Sequence, residues 1–149
     1  ADAFIDVRCL ELGLVESSKI AQAEHDLGHA IEAEMILEGG ATLSERLADG
    51  SVQTALAGRR PQVLVLQERG GDLMCLPEKD ACNQSRQALQ TLAQAGHAAG
   101  AQVLLLGSYQ SLPHASAAIV EEERAAATQA GIGYIEISES LRQLSGKAT

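Results

Sequence analysis

The chain has 149 residues, of which 46% are hydrophobic and 21% are charged, a balance typical of one globular domain and unlike a disordered chain. A net charge of −9 and an aromatic content of 2% argue against nucleic acid and anionic membrane surfaces as partners, because phosphates are repelled and few rings can stack on bases. No apolar run approaches the roughly 18 residues that a membrane span needs.

Short apolar segments alternate with longer stretches of helical period along the chain. The segments predict strands at Ala3–Leu12, Ile31–Leu37, Gln62–Gln67, Gln102–Leu106 and Gly133–Ile137. The stretches between them predict helices at Ser17–Leu27, Leu43–Ala57, Gln84–Ala99 and Ala115–Ala130, with another helix from Glu139. Repeated strand–helix alternation requires right-handed crossovers and parallel pairing. We therefore predict a three-layer α/β/α domain with a five-stranded parallel sheet, in the flavodoxin-like order 2-1-3-4-5.

Individual residues refine this prediction. The runs VLVL and VLLL in the third and fourth strands are typical of strands that are covered on both faces, whereas alternating glutamates in the second strand indicate an edge position. Thr42 or Ser44 is suited to cap the second helix, and Gly131 is suited to end the fourth. The charges of Glu121–Glu123 indicate a solvated helix face.

Ligands of such sheets bind outside the carboxyl ends of the strands, near the point where the strand order reverses. The loops expected there are Gly13–Ser18, Gly39–Thr42 and Glu68–Asp72. The second and third loops each contain a glycine pair. Such pairs expose backbone N–H groups to an oxyanion or another small anion, or they simply form tight turns between a strand and a helix.

The segments MILEGGATLSERLADG, PQVLVLQERGGDL, GAQVLLLGSYQ and GIGYIEIS together resemble the SGNH/GDSL hydrolase superfamily over roughly Ile31–Leu141. The resemblance implies hydrolysis of a small-molecule ester by a serine, without a cofactor. It also implies that the oxyanion is held by the backbone N–H groups of the serine and of a glycine that follows the second strand. Gly40 matches this glycine. The family's third donor is an asparagine side chain, and Gly71 occupies that position here.

The nucleophile and the base depart from the family pattern. Val15 stands at the position of the nucleophile, so a shifted register would use Ser17 or Ser18, which are otherwise suited to cap the first helix. The family's Asp-x-x-His block does not follow SESLRQLSGKAT. We therefore expect a serine ester hydrolase, or a truncated or degenerate form of one, with little hydrolysis by this chain. The alternative is a non-catalytic binding module on the same scaffold.

The chain contains four histidines, which are the candidates for a base and for metal ligands. His25 and His29 are four residues apart, but they lack the glutamate of a zinc-binding HExxH motif. His97 is expected at the opposite edge of the sheet. His114 follows the fourth strand, at the edge expected for Gly40 and Gly71, where it is either a replacement base or an exposed loop residue.

The three cysteines do not form a repeated disulfide framework, and no CxxC motif is present. Cys75 and Cys82 bracket a short polar stretch, so they are either bridged or reduced. A bridge would favour a periplasmic or secreted location, because disulfides persist in oxidising compartments.

Overall fold

The structure is a computed structural model that describes residues 2–5, 32–36, 40–75, 79–109 and 112–146. Its strands are β1 to β5, at Asp2–Ile5, Glu32–Met35, Val63–Leu66, Gln102–Leu106 and Gly133–Ile135. Its helices are α1 to α5, at Leu43–Asp49, Ser51–Arg59, Lys79–Ala98, Pro113–Ala130 and Ser138–Gly146. No helix in these ranges is both long enough and apolar enough to cross a membrane.

The strands form one sheet in the order β2-β1-β3-β4-β5, and every neighbouring pair is parallel. All the strands therefore run in the same direction, and the loops that follow them lie together at the carboxyl edge of the sheet. The predicted parallel α/β architecture is confirmed, and β2 lies at the edge as predicted. The helix predicted at Ser17–Leu27 lies outside the described residues, so the third layer stays a prediction.

The core lies where α1, α3 and α4 pack side by side over β3 and β4. Leu64 of β3 pairs in register with Val103 of β4, and both are buried under α3. Gly96 allows this close approach, because a Cβ there would lie 2.6 Å from Val103 Cγ2. Full burial on both faces is confirmed for the last three residues of β3. It is wrong for β4, where Leu104 and Leu106 are only half-buried in the described structure.

The helix predicted at Leu43–Ala57 is in fact two helices. Gly50 has a φ of +73° and a left-handed conformation that ends α1, and glycine adopts that conformation without steric cost. Asp49 Oδ1 then accepts the N–H of Ser51 at 2.8 Å, where α2 begins. Thr42 caps α1 as predicted, and it forms a reciprocal capping box with Glu45.

Candidate functional site

Gly40 and Gly71 lie in the turns that follow β2 and β3. Their φ values are +75° and +90°, and a Cβ at either position would meet no atom within 4 Å. Backbone conformation, rather than lack of space, is therefore the reason for glycine at both sites. Since both turns follow parallel strands of one sheet, they lie at its carboxyl edge, as predicted. Their predicted roles as oxyanion donors stay predictions.

Glu68 joins these two turns from the inside of the protein. Its side chain is buried, with 3% of the residue exposed. Both carboxylate oxygens lie 3.2 Å from the backbone N of Leu43, the first residue of α1, and Oε1 lies 2.9 Å from the N of Arg69. Burial raises the pKa of Glu68, while the N–H groups of Arg69 and Leu43 oppose that rise by stabilising the carboxylate. The carboxylate thus fixes the start of α1 against the end of β3.

Arg69 joins the same turns from the outside. Its Nε donates to Asp72 Oδ2 at 2.6 Å, and its Nη1 donates to the carbonyl oxygen of Gly40 at 3.4 Å. The hydrogen bond to Asp72 raises the pKa of Arg69, so the guanidinium is charged at any ordinary pH. Half of the side chain, 51%, is nevertheless exposed. Arg69 therefore places a positive group between Gly40 and the turn that contains Gly71.

The turn after β3 is anchored to the helices behind it. The carbonyl oxygen of Leu73 accepts Nε of Arg86 at 3.2 Å, and Nη2 of Arg86 forms a 2.6 Å ion pair with Glu122 on α4. The sulfur atoms of Cys75 and Cys82 are at disulfide distance, with their Cα atoms 5.2 Å apart. The end of this turn is thereby tied to the first turns of α3.

A second buried carboxylate organises the ends of β4 and β5. Both oxygens of Glu123 lie 3.1 Å from the backbone N of Ser108, and Oε2 accepts the hydroxyl of Tyr134 at 2.8 Å. The hydroxyl of Ser138 donates to the carbonyl oxygen of Ser108 at 2.9 Å. Burial raises the pKa of Glu123. The prediction of a solvated face is therefore wrong for Glu123, which is 3% exposed.

The candidate bases and nucleophile are placed only in part. His114 is exposed in the first turn of α4, near the carboxyl edge, and His97 is exposed in the last turn of α3, at the opposite edge. Ser17, His25 and His29 lie outside the described residues. Within the described ranges, no group of three His, Cys, Asp or Glu residues is arranged to hold a metal ion.

The structural roles of Glu68 and Glu123 were not predicted from the sequence. Glu68 had one visible signal, since it closely follows the buried run VLVL, where a charged side chain needs partners. Glu123 had none, because its neighbours Glu121 and Glu122 suggested a uniformly charged helix surface.

No family model and no curated protein matches this chain in sequence. Solved structures do match it in fold. TesA aligns at 23% identity and a TM-score of 0.68, over 90% of this chain and 77% of its own. A protein described as an SGNH hydrolase from Slackia heliotrinireducens aligns at 19% identity and a TM-score of 0.71, over 95% of this chain and 82% of its own. The acetyl xylan esterase AlAXEase aligns at 14% identity and a TM-score of 0.72, over 99% of this chain and 82% of its own.

All three identities are below 25%, so the likeness concerns the course of the backbone. This likeness of the backbones agrees with the parallel strands and with the helices that follow them. The chain therefore has the α/β fold of the SGNH hydrolases.

Proposed function

We propose that the carboxyl edge of this sheet carries the ester-binding site of an SGNH-type serine hydrolase, in a complete or a degenerate form. The observation that supports it is the joining of two glycine turns by consecutive residues. Glu68 holds Leu43 from the buried side, and Arg69 holds Gly40 from the exposed side. Such a double attachment orients backbone groups before a ligand arrives, which is what stabilisation of an oxyanion requires.

In this proposal Ser17 is the nucleophile, and the backbone N–H groups of Gly40 and Gly71 bind the substrate oxygen. The serine hydroxyl gives its proton to a base as its oxygen bonds to the acyl carbon, and the alcohol leaves with that proton. Water then adds to the acyl carbon, the acid leaves, and a proton from the water returns to the serine oxygen. Each well-placed donor to the oxyanion is worth about 10²–10³ in rate. The substrate class is a small-molecule ester, and no cofactor takes part.

A second candidate is a non-catalytic binding module on the same scaffold. It is favoured by Val15 at the expected position of the nucleophile and by Gly71, which has no side-chain donor. Because nucleophile and base act as a unit, we expect this chain to hydrolyse short activated esters weakly or not at all. His114 is the described histidine best placed to act as the base, because α4 begins at the carboxyl edge.

A fluorophosphonate probe, which labels only an activated serine, tests this proposal on the whole chain. Stoichiometric labelling that is lost in Ser17→Ala and weakened in His114→Ala supports the hydrolase, with His97→Ala as the matched control at the opposite edge. Labelling that persists in Ser17→Ala and is lost in Ser18→Ala reassigns the nucleophile. Absence of labelling, together with no turnover of an activated acetyl ester, favours the binding module.

We also propose a secreted or periplasmic location. It is supported by the disulfide distance between Cys75 and Cys82, since such bridges persist in oxidising compartments. Alkylation of the protein under denaturing conditions without reductant, followed by mass spectrometry, tests the bridge.

A further inference from the structure

The guanidinium of Arg69 has donors to spare at the rim of the two glycine turns. A guanidinium carries five N–H groups, and the bonds to Asp72 and Gly40 use one on Nε and one on Nη1. The other N–H groups have no hydrogen-bond partner among the described residues. Because 51% of the side chain is exposed, a ligand in solution can reach them.

Two described partners hold Arg69 in place, and no described atom crowds the neighbouring turn at Gly71. Asp72 fixes its Nε end, and the carbonyl oxygen of Gly40 fixes the other end. Gly71 projects no side chain into the space near the turn, and an added Cβ there would still meet nothing within 4 Å. A donor with two anchors is already oriented, so it loses less freedom when a ligand binds than a free surface arginine does.

We propose that Arg69 is the side-chain donor of an oxyanion-binding site between Gly40 and Gly71. The inference rests on the proposed function, and it supplies a group for the role that Gly71 cannot fill. The ligand is a carbonyl oxygen that gains negative charge, or a tetrahedral oxyanion that resembles it.

Binding of methylphosphonate, a tetrahedral oxyanion that needs no serine, tests the inference without catalysis. In ¹⁵N-resolved NMR titrations of the whole chain, we expect saturable shifts of the Arg69 Nε–H signal and of the Gly40 and Gly71 amides. Arg69→Gln should raise the dissociation constant about tenfold or more. Arg69→Lys should recover only part of the affinity, because an ammonium lacks the planar fork.

Arg142→Gln is the matched control, since Arg142 also has two described partners, Ser116 and Glu139, but follows β5 instead of β3. It should bind methylphosphonate as the wild type does. Equal affinity of Arg69→Gln and wild type overturns the inference, and so does an absence of any shift in the wild type.

The outcome for Arg69 is separate from the outcome for the hydrolase. Binding that depends on Arg69 without fluorophosphonate labelling supports the anion site and favours the binding module over the hydrolase. Labelling at a rate that Arg69→Gln leaves unchanged supports the hydrolase and overturns the role of Arg69.

Discussion

Replacement of Glu68 is the sharpest test of how the glycine turns are held. The side chain accepts hydrogen bonds from the backbone of Leu43 and Arg69, and Leu43 is itself only 1% exposed. Glu68→Ala leaves the N–H of Leu43 buried without an acceptor and opens a small cavity. Glu68→Gln keeps the volume and one acceptor oxygen, which suffices because Oε1 already accepts both N–H groups.

The expected losses in the free energy of unfolding follow from these contacts. An unsatisfied buried donor costs about 1–3 kcal/mol, and a hydrogen bond to a charged group contributes about 1.5–3 kcal/mol. We expect Glu68→Ala to cost about 3 kcal/mol and Glu68→Gln about 1 kcal/mol. The exposed Glu121→Gln on α4 is the control, with an expected change within about 0.5 kcal/mol.

Glu68 also gives the wild type a pH dependence of stability that both variants lack. Burial raises the pKa of Glu68 in the folded state above its ordinary value of 4.5, so the folded state binds this proton more readily than the unfolded state does. Its contribution to stability is complete below the ordinary pKa and is lost as pH rises through the raised one. Glutamine does not titrate, so the deficit of Glu68→Gln relative to wild type should be largest below pH 4.5 and should shrink as the pH rises above that value.

Urea unfolding followed by circular dichroism at several pH values measures both effects. The contribution of Glu123, which has the same sign, is present in wild type and variant and cancels in the comparison. A deficit of Glu68→Gln that does not change with pH would refute the account of its ionisation. A Glu68→Ala variant as stable as Glu121→Gln would refute the structural role as well.

Three further predictions concern packing, capping and the disulfide, and each is measured by urea or thermal unfolding. Gly96→Ala should destabilise the protein by about 1 kcal/mol. Overpacking of the core costs about 1–3 kcal/mol, whereas the higher helix propensity of alanine stabilises the helix by at most about 1 kcal/mol. A Cβ added at Gly58 in α2 would meet no atom within 4 Å, so Gly58→Ala should stabilise the protein by about 0.5–1 kcal/mol. If Gly96→Ala and Gly58→Ala changed the stability in the same direction, the packing argument would be contradicted. Thr42→Ala should cost about 1 kcal/mol through loss of the cap, and no loss would contradict the capping geometry. Reduction of a bridge between Cys75 and Cys82, which are seven positions apart in the sequence, should lower the free energy of unfolding by about 2.5 kcal/mol. A reductant should have no effect on the stability of Cys75→Ser.

The fold could be predicted because each element carries its own local signal. The strand Gln102–Leu106 was predicted at its observed bounds, since a continuous apolar run is followed and preceded by helical periodicity. The break at Gly50 was missed, because apolar periodicity continues across it while one left-handed residue changes the helix axis. The half-buried face of β4 was also missed, since burial depends on which helices cover a strand rather than on the strand itself.

The site could be predicted only as a set of glycine turns at one sheet edge. Parallel topology alone brings the turns of Gly40 and Gly71 to that edge. The side chains that connect them act over 25 residues for Glu68 and Leu43 and over 29 for Arg69 and Gly40. Such contacts have no periodicity in the sequence, and a charged residue after a strand is equally consistent with simple exposure to solvent.

The buried carboxylates explain how this edge can be both rigid and open. Glu68 and Glu123 bind backbone N–H groups directly after β3 and β4, and the hydroxyl of Ser108 donates to the carbonyl oxygen of Glu68 at 3.4 Å. The ends of adjacent strands are therefore fixed by side chains that point into the protein. The turns above them are free to use glycine, whose backbone can face a ligand without obstruction. Orientation before binding is the main requirement for stabilising a developing charge, and in the proposed function the buried carboxylates provide it from the inner side of the turns.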